Sequence, residues 1–347
     1  MANETLLAQF FIPEMAGDLL SYSLQDGLQV LRRLTAPGGE VPCILLENKS
    51  LQKSGEYFTQ PFWKKAADLV TRKDLTSASD ATLVQFGSDY EKSPVISKKI
   101  GPSLFQRPQL AQAGAEGFTA EFAKQASEQV KLALETLVLA TLKGSAAAFI
   151  AGAGGAGFPF DHAYSVWDNS TPVNLSIAAL ANGRAEMGDR IDKILGWIMR
   201  SEPANDMRGG QIALTSADWG EGVARGRPLA QLGLPEAIVD STHLKTDAVA
   251  SSSTKSKWYT YGLGPGCIML DILSLNFDPP QPAVEKEMNG VYLRGDLVVR
   301  VRVPGMNYAG AANPADSTLA NSASWAIKAQ DHREFSIVRI ETNCSAT

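Results

Sequence analysis

Residues 118–148 read FTAEFAKQASEQVKLALETLVLATLKGSAAA, and their periodicity decides the fold. Phe118, Phe122, Ala126, Val130, Leu134, Leu137 and Thr141 recur at steps of four and three, which places them on one stripe of an α-helix. Thr119 is suited to cap the N-terminus, and Glu121 complements the first turn. At 1.5 Å per residue, ~25 to 30 residues give a rod of roughly 40 Å, more than twice the usual helix length. The spacing predicts a spine.

Immediately beyond it, residues 150–160 read IAGAGGAGFPF, in which Gly152, Gly154 and Gly157 fall on a G-x-G-x-x-G spacing. A dinucleotide fingerprint needs a strand before its first glycine and a helix opening at its last. Here a helix precedes the glycines, and the following DHAYSVWDNSTPVNL has no helical period. Gly152, Gly154, Gly155 and Gly157 are therefore read as a hinge. A dinucleotide-binding enzyme using Gly152–Gly157 is the remote alternative.

Upstream, Leu20, Leu24, Leu28, Leu31 and Leu34 form a short amphipathic stripe, broken by APGGEVP at 36–42 and followed by a short strand-like CILLENK. Residues 1–67 are read as an N-terminal arm with little core of its own, so its apolar positions need a surface to lie on. Residues 71–110 are polar, with β-favouring pieces at 82–86 and 94–100 separated by turn residues. This predicts an extended two-stranded loop, which is marginal by itself in water.

Downstream, 177–181 is read as a short helix, and Met187, Ile191, Ile194, Leu195 and Ile198 as the stripe of a second one. Glu236–Asp240 suggests a core strand, WYTYGLGPGCIMLDI at 258–272 strand-like alternation, and VYLRGDLVVRVRVPG at 291–305 two β runs around Gly295–Asp296. A short helix at 318–329 and a last strand close the chain. The fold class is α+β.

Composition narrows function. The 347 residues are 44% hydrophobic and 20% charged, ordinary for a folded chain large enough for two domains. A formal net charge of −5 and the absence of any run of five like charges argue against a general nucleic-acid binder. Cys43, Cys267 and Cys344 have no metal-ligand spacing and suit a reducing compartment. The start, MANETLLAQFFIPEM, lacks a basic region and does not read as a signal peptide. Apolar runs are interrupted before the ~18 residues of a membrane span, so no membrane partner is expected.

No catalytic constellation emerges. His162, His243 and His332 have no second ligand at metal spacing, and Asp161–His162 reads as a surface turn. There is no G-x-S-x-G, P-loop or H-E-x-x-H. Asp189 and Asp192, in company with Arg190 and Lys193, read as a solvated helical face. Trp63, Trp197, Trp219 and Trp325 read mainly as core. The chain is expected to be no enzyme, with no catalytic residue, cofactor or metal. The charges of the extended loop can be a solvated edge or can pair between subunits, with Arg72, Lys73, Asp74, Asp80, Asp89, Glu91, Lys98, Lys99 and Arg107 as the candidates.

The order of arm, extended loop, spine, joint, α/β portion and return to β resembles the major capsid protein of tailed bacteriophages, with the Hong Kong 97-type fold. TRKDLTSASDATLVQFG and SKKIGPSLFQ look like that family's extended loop, and TAEFAKQASEQVKLALETLVLATLKG like its spine helix. YTYGLGPGCIML and PGMNYAGAANPADSTLANSASWAIKAQDHREFSIVRIETN look like the end of its chain. The resemblance implies an N-terminal arm at 1–67, which would tuck under another subunit. It implies an extended loop at 68–114 lying over an adjacent subunit, and a P-domain at 115–182 with the spine at 118–148. An A-domain at 183–267 would gather at the capsomer axis, and 268–347 would return to the P-domain with a C-terminal strand.

It further implies that the chain partners itself, as hexamers and pentamers of an icosahedral shell, assembled in the host bacterial cytoplasm and ending in the virion capsid. The shell would enclose double-stranded DNA, contacted non-specifically; a triangulation number of T=7 is the family's common case. A separate scaffolding protein, a portal and cement proteins are the further partners implied. Lys92, Lys98 and Lys99 match covalent cross-linking lysines by type only. A cellular encapsulin-like nanocompartment shell shares this fold and is the alternative.

Overall fold

A helix of 39 residues, Ala115–Ala153, forms the axis of the molecule, close to 60 Å long at 1.5 Å per residue. We describe residues 13–25, 28, 31–35, 42–48, 57–63, 88–106, 115–167, 174–207, 236–246, 257–278, 281–282 and 290–343 of a computed structural model. In the first half of the spine, Phe122, Ala126, Val130 and Leu134 are buried while Glu121, Lys124, Gln125, Glu128 and Gln129 face out. From Leu137 to Phe149 nearly every position is covered. A helix apolar all round must lie inside a core. The segment is long and apolar enough to cross a membrane by composition, yet two thirds of its most apolar window is covered by the protein itself.

Two sheets flank this axis. The first runs β1 (Ile44–Asn48), β9 (Ile268–Phe277), β11 (Gly290–Arg302), β3 (Ser88–Gln106), β2 (Tyr57–Trp63), with β10 (Gln281–Pro282) beside β11. Only β1 and β9 pair in parallel; the other neighbours are antiparallel. Alternation along β9 and β11 sends Leu270, Ile272, Leu297, Val299 and Val301 into the same apolar core as the spine residues Leu134, Leu137 and Leu139. The second sheet runs β4 (Ala163–Ser165), β14 (Ile337–Asn343), β8 (Lys257–Leu263), β5 (Gly196–Met199), β6 (Glu236–Ile238), with β7 (Lys245–Thr246) beside β8. Its outer face carries Val338 and Ile340, which form a separate core with Leu180 of the helix Ile177–Ala185 and with Trp197, Met199 and Met207. A small third ladder joins β12 (Met306–Tyr308) to β13 (Trp325–Ile327).

Four elements differ from expectation. The leucine stripe does not await another subunit: Leu20, Leu24, Leu28, Leu31 and Leu34 are all buried in the spine's core. Ser23 Oγ lies 2.6 Å from Ser127 Oγ, and the Leu31 amide donates to Glu135 Oε1 at 3.2 Å. The expected second helix is a 3₁₀ turn, Gly188–Lys193, followed by β5. Gly188, at φ +60°, ends the preceding helical path, and the run ILGWIM is short enough to serve as a covered strand. The two β runs around Gly295 are one strand, β11, with a bulge between Leu293 and Gly295. The late helix spans only Asp316–Leu319, because residues 325–327 are needed in β13.

Candidate assembly interface

The described part of the expected extended loop is a strand paired on both sides, which we call its root. The first half of β3 pairs with β2 in register Tyr57↔Pro94 to Trp63↔Ser88, and its second half pairs with β11. The strand expected at 94–100 is thus the centre of β3, but it pairs with β11 over 95–100 and meets β2 only at Pro94; residues 82–86 lie outside the described residues. Pro61 has no N–H to give a ladder, and β2 is the outermost strand of its sheet, where that lack is tolerated.

A polar seam fastens this root to the segment 302–316. Glu91 is buried, accepts from Arg302 Nε at 2.8 Å and from the Gly305 amide at 3.1 Å. Burial pushes its carboxyl above the usual range, and Arg302 opposes that shift. The Lys92 amide donates to Asn307 Oδ1 at 2.8 Å, and the Ser97 amide to Asn313 Oδ1 at 2.9 Å. Lys98 Nζ reaches both carboxylate oxygens of Asp316 at 3.2 Å. Two asparagine side chains therefore satisfy β3 amides that a bare strand edge would expose. Beside the seam, a groove of about 370 Å³ opens between Lys98, Lys99 and Ile100 of β3, Phe122 and Gln129 of the spine, and Leu297 of β11.

Of the nine expected contact residues, the structure brings Glu91 and Lys98 into this seam, paired within their own chain. Lys99 is exposed next to it. Asp89 lies in β3 opposite Phe62. Arg72, Lys73, Asp74, Asp80 and Arg107 lie outside the described residues. Arg302, Asn307, Asn313 and Asp316 were not singled out from the sequence, since polar residues in a loop-like stretch carry no mark of a partner some 200 positions away.

The glycines close the spine. Gly152 remains helical; the Gly157 amide then donates to the Gly154 carbonyl at 3.2 Å and the Phe158 amide to the Ala153 carbonyl at 3.1 Å. With Gly157 at φ +74°, this is the Schellman cap, in which a left-handed residue lets the last carbonyls find donors. A helix C-terminus presents carbonyl oxygens and the negative end of the dipole, the opposite of what a phosphate needs. Asp161–His162 is not a surface pair: His162 is buried with its ring against His332. Among the described residues no group of His, Cys, Asp or Glu could hold a metal ion.

The sequence matches the model of the Gp13-like family, described as major capsid protein 13-like, over residues 35–338. The structure is similar to the capsid of Ralstonia phage GP4, with a TM-score of 0.55 and 9% identity over 92% of each chain. It also matches the Cyanophage Pam1 capsid asymmetric unit, with a TM-score of 0.49 and 12% identity over 85% of this chain and 87% of that one. No curated protein sequence matches the chain.

Proposed function

Because the chain belongs to the Gp13-like major capsid protein family, we propose that its copies form the hexamers and pentamers of an icosahedral shell enclosing the double-stranded DNA of a tailed phage. It is a structural protein with the Hong Kong 97-type fold, and its place is the virion capsid. The observation that carries the assembly reading is the family match across 35–338. The GP4 likeness supports the fold.

In this reading the arm is 1–67, the P-domain 115–182 and 268–347, and the A-domain 183–267. The extended loop, 68–114, is rooted further back, at β2. The polar seam gives that loop a fixed launching direction from its own subunit, and the loop's charges Arg72, Lys73, Asp74 and Asp80, with Lys99 at the root, meet a neighbour. The glycines Gly152, Gly154, Gly155 and Gly157 allow the small angular adjustments that one chain needs in both five-fold and six-fold rings. A scaffolding protein, a portal and cement proteins would complete the partners. DNA would be met sparsely and without sequence preference, as the net charge of −5 suits.

Electron microscopy of the purified protein, expressed with and without its neighbouring phage genes, tests this. Closed icosahedral shells, or hexamer and pentamer rings, are expected. A monodisperse monomer or dimer under every condition would overturn the reading.

A further inference from the structure

Where the spine ends, three segments meet around a box of aromatic rings. Phe149 of the spine stacks on Phe335, with ring centroids 4.3 Å apart, and on Phe158 at 5.7 Å. His162 lies over Phe149 at 5.0 Å, and Phe160 lies beside His332 at 5.2 Å. Inside this box His162 Nε2 stands 3.3 Å from His332 Nδ1, with both residues buried. His162 is also one of two described non-glycine residues at positive φ, +57°. A histidine held in that region is there because its surroundings fix it. Its carbonyl accepts the Arg339 amide at 3.0 Å, so the same residue ties the post-spine segment to β14.

We propose that the His162–His332 pair is an acid-sensitive latch, which closes the junction between the spine's end and β14 while the rings share one hydrogen bond, and loosens it when both rings are cationic. In the neutral pair one facing nitrogen donates and the other accepts, and a first added proton can go to an outer ring nitrogen and leave that bond intact. A second must go to the facing acceptor nitrogen, which breaks the shared bond and sets two buried cations against each other.

The surroundings do little to hold that second charge. Burial, then the neighbouring His332, lowers His162 from 6.5 to about 4, against the pull of the Ile337 backbone and Asp161. The spine contributes Phe149 here and no charge. From the 3₁₀ turn at 332–334 come His332, Arg333 and Glu334, with Asp331 as its cap, 3.8 Å from His332 Nε2. Arg333 is engaged by Asp189, and its carbonyl by Arg190, both of the turn at 188–193. β14 brings Arg339, paired with Glu341. Glu186 faces Asp161 and is raised, first by burial and then by that like charge. Its protonation in acid relieves repulsion and so works against the latch.

The ring at 162 binds its proton less readily folded, at about 4, than at the ordinary 6.5. Unfolding therefore takes up a proton between those values. The neutral ring's contribution is complete above the upper value and is lost as pH falls towards the lower one. For one proton this amounts to about tenfold in the folded-to-unfolded ratio per pH unit, or roughly 300-fold across the window.

The test is urea unfolding of the full chain from pH 4.5 to 7.5, as wild type and as His162→Asn, since asparagine tolerates positive φ. Wild type should lose stability about tenfold more per pH unit than the variant between pH 6 and 5. Parallel pH profiles would overturn the proposal. Should the variant not fold, NMR titration of the isotope-labelled histidine rings in the wild-type chain decides. A His162 ring that stays neutral to well below pH 6 is expected, and an ordinary midpoint for it overturns the latch. The junction rests on the subunit alone, so failure to form shells leaves this test intact.

Discussion

Gly144→Ala opposes two effects whose signs differ. The residue lies inside the spine, where alanine is favoured over glycine by about 1 kcal/mol through helix propensity. Its missing side chain, however, is what lets the turn after Asp316–Leu319 lie on the helix. A Cβ there would fall well inside van der Waals contact with the Leu319 carbonyl oxygen and 2.8 Å from Trp325 Nε1. Those two atoms are bonded to each other, the indole N–H donating to that oxygen at 2.8 Å. The obstacle is backbone, not the end of a flexible side chain, so it cannot swing away without giving up a buried hydrogen bond. Overpacking costs about 1–3 kcal/mol, and loosening the indole bond adds about 1 kcal/mol. Subtracting the propensity gain leaves a net loss of about 1–3 kcal/mol.

For a chain of this size that lowers the melting temperature by roughly 1–4 °C, read by calorimetry at matched concentration and assembly state. Gly154→Ala is the control, since nothing lies within 4 Å of its added Cβ, and it should stay within about 0.5 kcal/mol of wild type. A Gly144→Ala chain that melts at or above wild type would refute the close approach and leave propensity as the only term in play.

Gly157→Ala should cost about 1 kcal/mol, because φ +74° disfavours any Cβ although space is open there, and Gly157→Asn should cost less; equal urea midpoints for all three chains would exclude the cap. Asp271→Asn weakens the buried pair with Arg300, both side chains under a tenth exposed, and should cost about 3 kcal/mol in urea unfolding, whereas replacing both by apolar residues should cost far less; the reverse order would sink this account. Lys98–Asp316 is a quarter to a third exposed, so Lys98→Glu should change subunit stability by less than about 1 kcal/mol while lowering shell yield in electron micrographs. Adding Asp316→Lys should restore the yield if the seam acts within one subunit, and a folded double variant that still fails to assemble would place Lys98 at a neighbour instead.

The spine was legible because its signal is local and repeated: Phe122 to Leu137 mark one face at every turn, and the helix observed, Ala115–Ala153, contains the stretch read from the sequence. Its last residues, 149–153, escaped because they run into the glycine-rich stretch that was read as a joint. ILGWIM misled for a related reason, since a short apolar run fits a strand as well as a helix and only the left-handed Gly188 decides. The candidate site was half legible. Charges at Glu91 and Lys98 could be noticed, but their partners lie 211 and 218 positions away. Such a pair looks identical in sequence whether it closes within one chain or between two. The distinction matters for how the extended loop works. Two ion pairs and two asparagine bonds hold residues 91–98 of β3 to the segment 302–316 of the same chain. If the loop meets a neighbour as proposed, a root already held at four points has less freedom to lose, so each contact would be made at a smaller entropic cost.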